Sequence, residues 1–346
     1  MGSSKFNLAL CCILLLFFSG CKSKGKAHAA FYYWKTVFQL NEREREVLHK
    51  SGNNHLYLRF FDVVWNNQEQ QALPNGVLTV QRPLKGFTVT PVVYITNQSL
   101  KNSSPAQMDS LAFKVNRLLS RLTAEQGVLY EHIQVDCDWS VDTRIKYFAF
   151  LRAFKHITGK KLEATIRLHQ VKYPERTGVP PVDKGVLMFY NMGRISAGLN
   201  ARNSIYNYED AAAYTAALST YHLPLDIALP LFSWSIQIRA GKVIQLYAKI
   251  GLQDLSDRKK FEPLPVHGDA VHVFKALKSF YLKGAYVKKG DLFKFEGMDA
   301  ESLARAAKQA SEHLAPLENR NIIYYEISSI NLPLYAKAIN KVSAYF

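Results

Sequence analysis

Short apolar runs of strand length recur along the chain, and the segments between several of them carry apolar residues at helical spacing. The runs fall at 31–37, 56–65, 87–95, 133–139, 162–168, 186–192, 225–234 and 322–327. They are rich in Val, Ile, Phe and Tyr, which fit a pleated, half-buried surface. The intervening helices have readable ends. Asn41 opens one at "NERE" and Gly52 closes it. Ser104, with Pro105 at the first helical position and Gln107 three residues after the cap, opens "MDSLAFKVNRLLSRL". Asp142 is placed to cap "TRIKYFAFLRAFKHIT", which stops at Gly159, and Asp299 to cap "AESLARAAKQASEHL".

Alternation of strand and helix through one domain predicts an α/β fold with a parallel sheet covered by helices. Eight strands predict closure into a (β/α)8 TIM barrel. The alternative is an open doubly wound sheet, weakened by the lack of a glycine-rich turn after the first strand. The stretch between Trp234 and Ile322 is too long for a simple connection. Segments around "KKGD" favour strands, which predicts a hairpin and a small inserted lobe between strands 7 and 8, at about residues 236–298. That lobe is basic from Lys275 to Lys294 and would wall the barrel mouth.

A barrel demands that one parity of each strand be apolar toward the helices while the other fills the interior. In "IQVDCDWS", residues 133 to 140, the outward set is Val135, Cys137 and Trp139, so Gln134, Asp136, Asp138 and Ser140 point inward. In "LEATIRLH" the inward set is Glu163, Thr165, Arg167 and His169, and in "IIYYEIS" it is Ile322, Tyr324, Glu326 and Ser328. Buried carboxylates cost several kcal/mol when unpaired, so Arg167 or a shared proton is expected to compensate Asp136 and Asp138. The later residues of these strands lie near the C-terminal mouth, where barrel active sites sit.

Composition adds a location. Lys5 precedes an apolar stretch from Leu8 to Phe18 that is too short for a membrane helix, so residues 1–20 read as a secretion leader. It ends on Phe18-Ser19-Gly20-Cys21, which resembles a bacterial lipobox and implies lipidation of Cys21. Residues 21–30 then form a tether and 31–346 the barrel domain, lipid-anchored in the cell envelope. Of four cysteines, Cys11 and Cys12 leave with the leader and Cys21 carries lipid, so Cys137 is left without an intrachain partner. The net charge of +16 is scattered, with no basic run interleaved with aromatics, which argues against nucleic acid. Lys22, Lys24 and Lys26 sit where they can touch anionic headgroups. The ten histidines include no His-Glu-x-x-His segment, and "HGDAVH" has poor ligand spacing, so no metal or cofactor is expected. A monomer is expected.

Three segments carry a family resemblance. "VDCDWS" resembles the fourth-strand Asp-x-Asp-x-Glu motif of family 18 glycoside hydrolases, the chitinase and endo-β-N-acetylglucosaminidase group. "LMFYNMG" resembles their sixth-strand Met-x-Tyr-Asp segment, with Asn191 for the last Asp. "ALPLFSW" is similar to their seventh-strand Gly-x-Pro-x-Tyr, with Ala228 and Phe232 at its ends. Segments of the "RFFDVVW" and "QVDCDW" type also resemble a group of bacterial barrel lipoproteins. By the first resemblance Asp136 and Asp138 fall on the family's two aspartates, and Ser140 falls where its catalytic glutamate belongs. That glutamate protonates the leaving oxygen while the substrate's acetamido group attacks. A serine hydroxyl has no accessible proton near neutral pH.

Two functions follow. The barrel binds a glycan without cleaving it, through Tyr190, Asn191, Phe232, Trp234 and Arg167. Alternatively it is a glycoside hydrolase with its acid elsewhere: Glu326 is favoured, with Asp136 and Asp138 assisting, and Glu163 and Asp62 are weaker candidates.

Overall fold

The computed structural model of the protein describes residues 25–248, 250–265, 271–328 and 332–346. The leader, Cys21, the start of the tether and His267 of "HGDAVH" lie outside the described residues. Eight parallel strands form the centre: β1 Lys26–Tyr33, β2 His55–Asn66, β3 Thr88–Ile95, β4 His132–Asp136, β5 Lys161–Arg167, β6 Lys184–Met188, β7 Leu225–Pro230 and β8 Asn319–Tyr325. Each pairs with the next in sequence. β1 pairs with β8 on one side and sets Phe31, Tyr32 and Tyr33 against Leu56, Tyr57 and Leu58 of β2 on the other, so the sheet closes into a (β/α)8 TIM barrel. β1 begins at Lys26, within the segment read as a tether, because Lys26 to Phe31 pair with Asn319 to Tyr324.

The helices around the barrel are α1 Glu42–Ser51, α2 Met108–Glu125, α3 Arg144–Thr158, α4 Tyr208–Thr215, α5 Ala300–Ser311 and α6 Leu332–Ser343. Their ends follow from local chemistry. Asn41 and Glu44 exchange bonds in a capping box at α1, and Asp299 accepts from the Ser302 amide at 2.7 Å to start α5. Gly52 and Gly159, at φ 66° and 60°, end α1 and α3 in the left-handed region. Asp142 does not cap α3. The cap position is Thr143, and Asp142 is exposed.

The lobe inserted between β7 and β8 is a five-stranded antiparallel sheet, ordered Lys242–Tyr247, Trp234–Arg239, Leu292–Glu296, Val271–Ala276 and Phe261–Leu264. It has its own small core around Tyr247, Phe261, Phe293 and Val287. The expected hairpin turn is displaced from "KKGD". It falls at Lys283 and Gly284, both with positive φ, between Phe280–Leu282 and Ala285–Val287. This is the conformation a two-residue hairpin loop needs. "KKGD" instead carries the chain into Leu292–Glu296, and Asp291 accepts from the Lys288 amide at 2.8 Å.

The barrel interior is layered. At the floor lie His55, His132, Glu163, Lys184, Asp226 and Asn321. Glu163 lies 3.1 Å from His132, and Asp226 accepts from Lys184 at 3.1 Å and from the Asn321 amide at 2.9 Å. Burial raises the Asp226 carboxyl to about 6, and it lowers His55 to about 4. Above this layer Tyr32 donates to Gln134 at 2.7 Å. An aromatic column then climbs the axis, with centroids 5.0 Å apart from His55 to Tyr57, 5.4 Å from Tyr57 to Tyr32 and 5.5 Å from Tyr32 to Tyr325.

Candidate functional site

The column ends in a cavity of about 730 Å³ at the C-terminal mouth, walled by Trp34, Asp136, Arg167, Tyr190, Phe232, Trp234, Tyr325 and Glu326 among others. A second hollow of about 540 Å³ adjoins it through Arg167, Tyr190 and Asn191, and adds Asp138, Ser140 and His169. The two make one cleft over the ends of β4 to β8.

β4 delivers the carboxylates. Its alternation persists past the last ladder bond: Cys137 is buried, and Trp139 stacks on Tyr147 of α3 at 5.1 Å while its indole N–H donates to the Thr177 carbonyl at 3.0 Å. These outward anchors leave the even positions to face the cleft. Asp136 is buried, and its Oδ1 accepts from the Thr165 hydroxyl at 2.6 Å. Burial raises its pKa, and the guanidinium of Arg167 opposes that rise without cancelling it. Asp138 is held by Arg167 at both oxygens, from Nε and from Nη2 at 2.9 Å. The Asp138 side chain is 53 % exposed and that of Arg167 25 %. Burial pulls the guanidinium's pKa down, but Asp138 and Asp136 outweigh it, so Arg167 stays charged.

Ser140 has a job in the backbone. Its amide donates to the Thr143 hydroxyl at 2.9 Å, and its carbonyl accepts from the Thr143 and Arg144 amides at 3.2 and 2.9 Å. The residue builds the turn that launches α3.

The later strands supply the aromatic wall. Tyr190 lies beyond the end of β6 and donates to the Met188 sulfur at 2.8 Å, a weak acceptor. Asn191 takes a positive φ of 57° and donates its amide to the Ile205 carbonyl at 2.8 Å. Tyr190 and Tyr325 stack at 5.7 Å, and Phe232 meets them edge-on at 5.6 and 5.9 Å. Trp234 is fixed from behind, donating its indole N–H to Glu296 at 3.0 Å. Glu296 also lies 2.8 Å from Lys294, and both side chains are fully buried where the lobe meets the barrel.

β8 departs from its expected parity. Tyr324 faces outward, bonded to the Ile339 carbonyl of α6 at 3.3 Å, and Ile322 lies on the same parity. Asn321 and Tyr325 face in. Tyr325 therefore holds the wall position, and Glu326 follows it through a cis peptide and lines the cavity with Ser328. Two weaker acid candidates lie elsewhere. Glu163 is on the floor, beside His132, and Asp62 is gripped by Arg59 at 2.7 and 2.8 Å. Trp34 and Tyr325 also line the mouth, and their signal was the aromatic endings "FYYW" and "IIYY" of the first and last strands.

No family model and no curated protein matches the sequence. Solved structures do match the fold. The spore cortex-lytic enzyme SleL of Bacillus cereus superposes with a TM-score of 0.58 at 14 % identity, over 94 % of this chain and 75 % of that one. A chitinase from Chromobacterium violaceum gives 0.57 at 13 %, over 92 % and 99 %. This chain has the barrel fold of family 18 glycoside hydrolases. A mutant GH18 chitinase from Cycas revoluta in complex with (GlcNAc)4 shares it as well, at 0.53 and 12 % over 91 % and 99 % of the two chains. On this fold, Asp136, Asp138 and Ser140 occupy the end of β4 and the turn after it.

Proposed function

We propose that the chain is a cell-envelope lipoprotein, anchored through Cys21, whose barrel mouth binds a glycan without the acid step of family 18 catalysis. The observation that carries this reading is the cavity itself. Tyr190, Phe232, Trp234 and Tyr325 line it with aromatic rings, while Asp136, Arg167 and Asn191 supply polar groups. Flat rings cover the apolar face of a sugar and leave its hydroxyls to such neighbours. The Tyr190 hydroxyl rests on a sulfur, so turning it toward a sugar oxygen loses little. Ser140 stands where the family resemblance puts the proton donor, and it is engaged in the α3 turn.

A specific observation keeps a second reading: Glu326 lines the same cavity as Asp136 and Tyr190, so a carboxyl is at hand for general acid catalysis. Titration of the whole protein with N-acetylglucosamine oligomers, N-glycans and peptidoglycan fragments tests the first reading. Saturable binding to one class, weakened in Asp138→Asn and Tyr190→Phe, supports it, and unchanged affinity in both variants removes the site. For the anchor, fatty-acid labelling that marks Cys21→Ala as strongly as the parent removes the lipoprotein assignment.

A further inference from the structure

The mouth gathers carboxylates in a basic protein. Against a net charge of +16, the cleft is lined by Asp136, Asp138 and Glu326 together with Arg167. Among the described residues that line the cavity, the other cation is Lys35, which lies 2.8 Å from Glu44. Arg167 is matched by Asp138, which it holds at both oxygens. Asp136 is matched less well. Thr165 serves its Oδ1, and the residue lines the cavity. Burial, the larger influence on this carboxyl, pushes its pKa up despite Arg167.

Aromatic rings line the same cavity as that carboxylate. Tyr190 and Tyr325 are stacked, Phe232 is edge-on to both, and Trp234 lies 5.4 Å from Phe232. A buried carboxylate inside an aromatic wall selects an ammonium over a neutral group. The low dielectric strengthens the charge attraction, and the negative ring faces add a cation–π component. An acetamide in the same place offers the carboxylate an N–H donor but no charge, a weaker match than an ammonium. We infer that the mouth takes a de-N-acetylated amino-sugar glycan, a glucosamine oligomer whose free ammonium pairs with Asp136 while its sugar faces lie on the aromatic wall. This rests on the glycan-binding reading above and narrows it. It also gives a reason for Ser140: a protonated amine has no carbonyl oxygen with which to attack the anomeric carbon, so a site for such a sugar has no use for the acid of a substrate-assisted step.

The test compares glucosamine tetramer with chitotetraose by calorimetric titration of the full-length protein in detergent, at mildly acidic pH where the amines are protonated. The expected result is affinity about tenfold or more higher for the free amine, a difference of ~1.4 kcal/mol. In Asp136→Asn, with its fold checked by circular dichroism, the ratio should fall to about one. Equal or tighter binding of chitotetraose overturns the inference and leaves the glycan reading standing, as does a preference that survives in Asp136→Asn. Failure of both oligomers to bind overturns the inference, and the glycan reading then falls only if N-glycans and peptidoglycan fragments fail as well. Should Asp136→Asn not fold, the parent's preference must shrink as rising pH deprotonates the sugar amines, and a preference indifferent to pH overturns the inference.

Discussion

Arg167 holds Asp138 with two donors, Nε on one oxygen and Nη2 on the other at 2.9 Å, and so ties the end of β5 to the turn after β4. This two-point grip fixes a planar fork on a planar carboxylate. It occupies Asp138, so that residue cannot swing freely toward a bound molecule. The same guanidinium is the main influence opposing the rise in the Asp136 pKa.

Arg167→Gln therefore separates the two roles. Without the guanidinium the Asp136 carboxyl titrates still higher, a shift that carbon-detected NMR of its Cγ would follow. Stability responds to pH with a definite sign. Below about pH 4 the Asp136 carboxyl is protonated in the folded and the unfolded chain alike, and the difference that stems from it should vanish. At neutral pH a buried carboxylate without its cation makes the variant less stable. Equal loss at both pH values would assign Arg167 a packing role instead.

Asp136→Asn should stabilise the protein at neutral pH. The folded-state pKa of Asp136 lies above its unfolded value, so the folded protein binds the extra proton between the two. Its penalty is absent below about pH 4 and complete once the pH passes the raised value. Asparagine keeps an oxygen for the Thr165 hydroxyl and carries no charge to bury. Urea unfolding at acidic and neutral pH should show the variant gaining on the parent as pH rises. A gap that does not change with pH would contradict the raised pKa.

The barrel was legible because each strand carries its own apolar run and several helices announce their caps locally, as at Asn41 and Asp299. Parity was legible where one face is apolar and the other charged, as along β4. It failed on β8, where "IIYY" places a tyrosine on each face. Tyr324 reaches a helix carbonyl and Tyr325 reaches the cavity, and composition cannot tell them apart. Pairings between distant segments were hidden for another reason. Asp226 with Asn321, and Trp234 with Glu296, join residues that only the closed barrel and its lobe bring together.

Lys294 and Glu296 make a fully buried ion pair that also accepts from Ser204 and from the Trp234 indole. Glu296→Gln leaves a buried ammonium without its anion, and breaking such a pair typically costs about 3–5 kcal/mol. Adding Lys294→Met should recover much of that loss, because glutamine still offers an oxygen to Ser204 and Trp234. Denaturant unfolding of both variants checks the order. If the double variant is as unstable as the single one, the buried charge is not the cause. Tryptophan emission offers a second readout, since Trp234 lines the cavity and leans on Glu296.

Glu326 and Ser140 separate binding from turnover. Ser140 occupies the position that the family resemblance gives to the proton donor, but its amide and carbonyl are committed to the first turn of α3 and its hydroxyl sits 3.2 Å from that of Thr143. Glu326 lines the main cavity, on the same wall as Tyr325. If any glycan is cleaved, the proton must come from a carboxyl that reaches the scissile oxygen, and Glu326 is the candidate because it lines the cavity. Removing a positioned general acid typically lowers the rate ~100- to 10,000-fold. Glu326→Gln should therefore abolish most turnover of a substrate with a poor leaving group, and lose less on an activated aryl glycoside that needs little protonation. Ser140→Ala should leave both rates near the parent's, with a small loss of thermal stability from the α3 turn. Full activity of Glu326→Gln on the poor leaving group would eliminate Glu326 as the acid. A parent that binds oligosaccharide but turns over neither substrate, with Glu326→Gln binding as before, would leave the barrel as a glycan receptor.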